Sequence, residues 1–471
     1  MKPSYFYLYP QNVFIESPKY RFKNTNATNQ PLFKRQLSKL QCEKASIYIH
    51  IPFCKGLCHY CPYYKLPYQS DKVSNYFDLL LKELALYKQN LPAQKLKIST
   101  IYFGGGTPSV LSIDQISSIF ADLNQTFNIQ ADTEITFEGE ARSLLSQGKI
   151  FHLKKMGVTR ISYGVQTFDP KIRQNENLLT SFKQIQRCAD LIHENEIDLA
   201  FDLMFGFSGQ TYESWSDTLQ KAFKLNGDQI YVWRTFFNSY PHRKDIKHHL
   251  TLNLPTIEER YKMHLLLLDQ MREAGYIQDN IVTFRKKDKP VYWFDDQRSQ
   301  SPVTIALGSS SMGQFGGMGY YNIADIEKYE QYLQKGNFPF MSVYEKVDYN
   351  QHPEYRIIYD LTVVGVMRKA DYNWGEIEKT YGKRIKKLKE KYLVFENQHE
   401  LRLSDLGKFW ATNLSSHFYT NKDIFQLFIK IFQIMANPGF DFQIKNLPSM
   451  FSNLYKTMDY SLRNDTIINL K

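Results

Sequence analysis

Six short apolar segments alternate with amphipathic ones over about 190 residues, and this rhythm constrains the fold more than any single residue does. The strand candidates are Ser46–Ile51, Thr100–Phe103, Thr133–Phe137, Arg160–Gly164, Asp198–Phe205 and Gln229–Thr235. Between them lie Tyr76–Gln89, Ser112–Leu123, Ser143–Lys155, Thr180–Asn195 and Tyr212–Lys224, whose apolar residues recur at helical spacing. Strand–helix–strand units of this kind close by right-handed crossovers into a parallel sheet covered by helices. The expected fold class is α/β, a partial parallel (β/α)6-type barrel. Residues 1–45 read as a polar N-terminal extension, 46–335 as the barrel with its extension, and 336–471 as a smaller, mostly helical C-terminal domain. Helices are expected there over Glu354–Val364, Trp374–Tyr392 (broken at Gly382), Ser404–Phe418 and Asp423–Met435. Pro302–Met312 is apolar and rich in small residues.

A length of 471 residues exceeds one ordinary core. The net charge of +11 would suit nucleic acid or an anionic membrane, but no block of five like charges occurs, so it reads as a basic solvated surface. No nucleic-acid or membrane partner is expected. There is no run of 18 apolar residues, and Met1–Tyr9 lacks the pattern of a signal peptide, so a cytoplasmic protein is expected.

Three of the five cysteines fall within eight residues, Cys54, Cys58 and Cys61, on a loop directly after the first strand. That spacing is a metal site rather than a disulfide framework. Thiolates suit zinc or an iron–sulfur cluster. A structural zinc needs a fourth ligand, and only His59, inside the motif, is at hand. Three thiolates on a four-iron cluster instead leave one iron open to a small chelating molecule. Cys188 reads as core and Cys42 has no evident role.

Four more segments follow the strands. Tyr102-Phe103-Gly104-Gly105-Gly106-Thr107-Pro108 lets the backbone approach a ligand closely, although such a run is also an ordinary tight turn. Glu138 ends the third strand, where barrels build their sites, with Glu140 a competitor. Gln166 ends the fourth. Asp202 interrupts an otherwise apolar strand, which is costly without a partner. Tyr231, Trp233, Arg234 and Phe236-Phe237 line either a substrate pocket or the barrel core.

Cys-x3-Cys-x2-Cys with an aromatic before the last cysteine resembles the signature of the radical S-adenosylmethionine superfamily. Its setting, Tyr48-Ile-His-Ile-Pro-Phe-Cys54, resembles the oxygen-independent coproporphyrinogen III oxidase family, the HemN-like group, over about residues 46–415. The resemblance implies a [4Fe–4S] cluster on Cys54, Cys58 and Cys61 and S-adenosylmethionine bound by the loop Gly105-Gly106-Thr107, by Glu138 and by Gln166. It implies a ribose contact for Asp202. Tyr48 and Tyr60 match positions beside cofactor and cluster, against a reading as plain core aromatics. Ala306 and Leu307 match a segment near a second S-adenosylmethionine, present in several branches, against a reading as helix packing. A small-molecule substrate and an electron donor such as flavodoxin or ferredoxin are further implications.

Three departures mark this chain. Tyr63 stands where the porphyrinogen oxidases carry a further cysteine. Leu178 stands where they carry an arginine between two cofactors, with Arg173 the nearest substitute. Asp288-Lys289-Pro290-Val291-Tyr292-Trp293 keeps the aromatics of the haem-chaperone motif but not its His and Asn. These departures point to the class C branches and to methyl or methylene transfer onto an unsaturated substrate. Coproporphyrinogen oxidation and haem carriage are the alternatives.

Overall fold

A computed structural model of the chain describes residues 20–21, 30–40, 42–61, 63–91, 96–235, 253–292, 303–346, 353–414 and 418. Its centre is a run of seven parallel strands: β1 (Cys42–Ile51), β2 (Leu96–Gly105), β3 (Asn128–Gly139), β4 (Arg160–Gln166), β5 (Asp198–Phe205), β6 (Gln229–Arg234) and β7 (Thr304–Leu307). They stand in the order β7-β1-β2-β3-β4-β5-β6, so each crossover moves one place along the sheet until β7 returns beside β1. Antiparallel strands extend both sides to thirteen in all, Thr283–Lys286 and Tyr276–Gln278 beyond β6, and Met312–Phe315, Met318–Asn322, Phe340–Lys346 and Tyr20–Arg21 beyond β7.

The strand pattern explains which face is which. In register, Ile47, Ile49 and Ile51 of β1 lie level with Ile101, Phe103 and Gly105 of β2, and the first two pairs join Phe137, Ile161 and Leu199 in one apolar core. Alternate residues turn to the opposite face, where Tyr48, Tyr102, Thr136 and Arg160 form a register row. The helices α1 (Ser70–Asn90), α2 (Ile113–Thr126), α3 (Phe182–Glu194) and α4 (Tyr212–Lys224) bury Leu80, Phe120, Ile185 and Trp215 against that core. Serine or threonine capping boxes start α2, α3 and α4, which is why each begins sharply after its loop.

The structure departs from the sequence reading in two places. Ser143–Lys155 is not one helix: Gln147 takes a φ of 56° and divides it at Gly148. The small-residue stretch at 302–312 supplies the seventh parallel strand. The polar extension is tied to the barrel, with Phe33 and Leu37 in its core and Tyr20 paired to Lys346. Cys188 is buried in that core, as its place on the apolar face of α3 led us to expect.

The chain divides into two compact units, one comprising Tyr20–Thr235 and Ser239–Lys346. The described residues of the other, from Pro353 onward, hold helices and a three-stranded sheet of Val366–Arg368, Glu400–Leu403 and Val394–Glu396 that the sequence did not suggest. Its long helix runs unbroken from Trp374 to Glu390, through Gly382. The helix expected over Asp423–Met435, and Phe236 and Phe237, lie outside the described residues. No described helix is long and apolar enough to cross a membrane.

Candidate active site

The cysteine loop leaves β1 at Ile51, whose carbonyl accepts from the amides of Gly106 at 2.8 Å and Thr107 at 3.3 Å. Phe53–Cys54 then pairs in parallel with Leu66–Pro67. The Thr107 hydroxyl donates to Cys54 Sγ at 3.3 Å, so the glycine loop after β2 reaches the first cysteine directly. Lys65 Nζ donates to the Cys61 carbonyl at 2.7 Å. Tyr60 packs edge-on to Phe207 at 5.6 Å, with Ile172, Met204, Leu178, Cys58 and Cys61 around it. Leu178, in the place of the family arginine, is part of this apolar wall, and Tyr63 is exposed.

Burial, together with the neighbouring cysteine charges, pushes the Cys54 thiol up to about 11 and the Cys58 thiol up to about 12. Thiols so placed ionise only when positive charge arrives among them. Among the described residues no group of three His, Cys, Asp or Glu side chains gathers closely enough for a single metal ion. The donor set suits a larger, multi-iron guest better than a lone zinc. His59 shares a hydrogen bond between Nδ1 and the Asn175 carbonyl at 2.7 Å.

Beside the cysteines, the glycine run forms a cradle packed too closely against its neighbours to admit side chains. A Cβ on Gly106 would lie 2.7 Å from the Pro52 carbonyl carbon, and one on Gly105, at φ 117°, would meet the His50 ring at 2.9 Å. A Cβ on Gly104 would press on Tyr48, Tyr102 and Glu138 together. Tyr102 donates to Glu138 Oε1 at 2.6 Å, and Tyr48 bonds His50 Nδ1 at 3.1 Å while lying parallel to Tyr102. Tyr102 thus orients the predicted carboxylate, a role the sequence did not reveal. Glu140 bonds Arg142 and Thr180 instead, at 2.6 and 3.0 Å.

Gln166 has the least ordinary backbone here. The Thr167 amide donates to the Val165 carbonyl at 2.8 Å, closing a three-residue γ-turn around Gln166 with φ at 66°. That sign gives the rarer, strained form of the turn. The Gln166 amide folds back over Gly164, 2.6 Å from where a Cβ would stand, and its buried Oε1 has no hydrogen-bond partner. Gly164 is level with Asp202, which accepts from Trp233 Nε1 at 3.1 Å. Tyr48, Glu138 and Asp202 are partly exposed, so the carboxyl ends of β1 to β5 leave a polar side of the sheet open as a cleft.

Ala306 is level with Tyr48 on the same face, whereas Leu307 faces the helices with Ile49. Its side chain is not brought to the cleft. The turn beyond is braced from α1: Glu83 accepts from the Gly308 amide at 2.7 Å, from Asn322 at 2.7 Å and from Tyr329 at 2.5 Å. Burial raises the Glu83 carboxyl to about 7.

A buried Cys54 with two half-buried cysteines beside it, a glycine cradle and an unpartnered buried amide oxygen fit a cluster and a polar, zwitterionic cofactor. The match to known proteins decides the matter. Residues 48–222 match the family described as the Radical SAM superfamily. The oxygen-independent coproporphyrinogen III oxidase of Bradyrhizobium diazoefficiens is 28% identical over 60% of this chain and 65% of its own length. The heme chaperone HemW of Bacillus subtilis is 29% identical over 63% of this chain and 77% of its own. This chain carries a HemN-like radical SAM domain. Coproporphyrinogen III oxidase HemN from Escherichia coli shares the fold, with a TM-score of 0.73 and 20% identity over 86% of this chain and 96% of that one. The cofactors of the radical SAM domain are a [4Fe–4S] cluster and S-adenosylmethionine. The relatives do not single out the class C methyltransferase branches.

Proposed function

We propose that this protein is a radical SAM enzyme acting on a tetrapyrrole, by oxidation of the coproporphyrinogen oxidase kind. The observation that carries the reading is the meeting of Cys54 with the Thr107 hydroxyl, at 3.3 Å, which joins the cysteine loop to the glycine cradle. Cys54, Cys58 and Cys61 would hold the cluster, leaving one iron to S-adenosylmethionine. When bound, the cluster supplies the electron that cleaves this cofactor to a 5′-deoxyadenosyl radical. The chain's own residues do the rest by position. Gly105 and Gly106 would admit the cofactor's methionyl end close to the backbone, Glu138 would receive its ammonium, Gln166 Oε1 would accept a further donor, and Asp202 would take the ribose. Tyr48 and Tyr60 would wall the two ends and keep water out.

The relatives support a tetrapyrrole substrate. Two are the oxidase and chaperone above, and a third, anaerobilin synthase of Escherichia coli O157:H7, is 26% identical over 66% of this chain. Arg234, at the carboxyl end of β6, and Arg260 add positive charge suited to carboxylate side chains, each repelling the other. The methyl or methylene transfer suggested by the sequence departures has no such support, and a second S-adenosylmethionine near Ala306 stays part of the proposal only. Haem carriage through the chaperone motif is disfavoured because Tyr292 is committed elsewhere: it donates to Asp198 at 3.1 Å and lies under Arg160 at 4.1 Å, at the amino ends of the strands.

Anaerobic incubation of the reconstituted protein with reductant, S-adenosylmethionine and either coproporphyrinogen III or haem tests this. The expected result is 5′-deoxyadenosine with release of carbon dioxide from coproporphyrinogen. Haem uptake without 5′-deoxyadenosine would favour the carrier, and consumption of haem would move the reading to a ring-opening enzyme.

A further inference from the structure

The γ-turn at Gln166 needs something to hold it, because an isolated non-glycine residue at positive φ relaxes toward ordinary strand geometry. Arg173 is placed for that task. It lies on the short helix Pro170–Asn175 that follows the turn, and its side chain is 9% exposed. One guanidinium nitrogen donates to both the Val165 and the Thr167 carbonyls, each at 2.8 Å, and the other donates to the Thr180 carbonyl. Val165 and Thr167 are the residues on either side of Gln166. A planar, forked cation is suited to reaching carbonyls in several directions at once. The remainder of the same segment grips the cysteine loop: the Glu176 carbonyl accepts from the His59 amide at 3.3 Å, Asn177 donates to the Leu57 carbonyl at 3.0 Å, and Leu179 fills the space beside Gly56.

We propose that Arg173 is a positioning residue for S-adenosylmethionine: it fixes the strained turn that presents Gln166, on a segment that also holds the cluster loop. The proposal rests on reading the cleft as an S-adenosylmethionine site. Three of the five guanidinium N–H donors go to backbone carbonyls, which ties Arg173 to the turn itself. Gln166 is thereby aimed by a cation held on the backbone.

The test is a double-mutant cycle with full-length reconstituted protein, using Arg173→Lys, Gln166→Gly and both together. Binding is read as the change in the electron paramagnetic resonance spectrum of the reduced cluster as S-adenosylmethionine is titrated, with iron and sulfide content measured alongside. Lysine keeps the charge but cannot span the three carbonyls, and glycine tolerates positive φ. Each single change is expected to weaken binding roughly ten- to a hundredfold at full cluster content, and the double change no more than the worse single one. Strictly additive losses, or wild-type binding by Arg173→Lys while Gln166→Gly is impaired, would overturn the proposal. A wild-type protein whose cluster spectrum ignores S-adenosylmethionine would instead overturn the reading of the site. Should Arg173→Lys lose iron, Arg173→Gln provides the same comparison.

Discussion

The two edges of the parallel sheet are built on opposite rules. At the amino edge the buried charges are paired with one another. Arg160, fully buried, donates to Thr136 at 3.0 Å and to Gln229, lies 3.8 Å from Glu134 and covers the Tyr292 ring. Lys289 bridges Asp198 and Asp228, and Lys286 joins Asp228 at 3.3 Å. At the carboxyl edge the chain turns through positive φ at Gly105, Gln166 and Gly308, the Cys54 and Cys58 thiols resist ionisation, and Gln166 leaves an acceptor unmet. A barrel whose amino edge closes on itself can tolerate strain at the other end, where ligands supply the missing partners.

The contrast breaks most completely at the cysteines. Cys58→Ala is expected to abolish 5′-deoxyadenosine formation and to lower bound iron, while thermal unfolding moves little. A variant that kept its turnover would show that the thiol trio has another purpose.

Glu83 braces the turn after β7, and its pH response follows from its raised carboxyl. Folding favours the protonated form, so this stabilisation is full below the ordinary carboxylate range and is lost as pH rises toward and through about 7. Relative to Glu83→Gln, the wild type should lose about 3 kcal/mol between pH 4.5 and 8. Parallel unfolding profiles for the two would remove Glu83 from the account.

Arg160→Met strikes the closed edge. It is expected to cost about 2 kcal/mol of stability, moderated because Glu134 keeps some contact with water, and to leave S-adenosylmethionine affinity within about twofold. Unfolding in denaturant and the cluster titration measure the two separately. A large affinity loss at unchanged stability would reverse the assignment of the edges.

The mildest comparison uses one substitution in two settings. Gly106→Ala puts a methyl against Pro52 and should weaken S-adenosylmethionine about tenfold. Gly382→Ala, inside the Trp374–Glu390 helix with open space around it, should stabilise by about 0.5–1 kcal/mol. Equal effects at both would mean that the cradle is not tight.

What the sequence revealed follows the range of the forces involved. The six strands from Ser46 to Thr235 were legible because each is an apolar run between turn signals, and Asp202 stood out as a carboxylate within one of them. β7 was not, because four residues carry no periodicity and Thr304–Leu307 becomes a strand only by pairing with Ser46–Ile49 some 250 residues earlier. The short strands Val366–Arg368 and Val394–Glu396 were missed for the same reason. Cys54, Cys58 and Cys61 were legible by spacing. The γ-turn at Gln166 was not, since glutamine has no preference for positive φ and the clamp that imposes it, Arg173, reads as an ordinary helical arginine.

The most direct test of the carboxyl-edge site is electron paramagnetic resonance of anaerobically reconstituted, reduced protein before and after S-adenosylmethionine is added. A [4Fe–4S] signal that shifts on addition, followed by 5′-deoxyadenosine in the mixture, is the predicted outcome. One zinc per chain in place of iron and sulfide, or a cluster signal indifferent to S-adenosylmethionine, would contradict it.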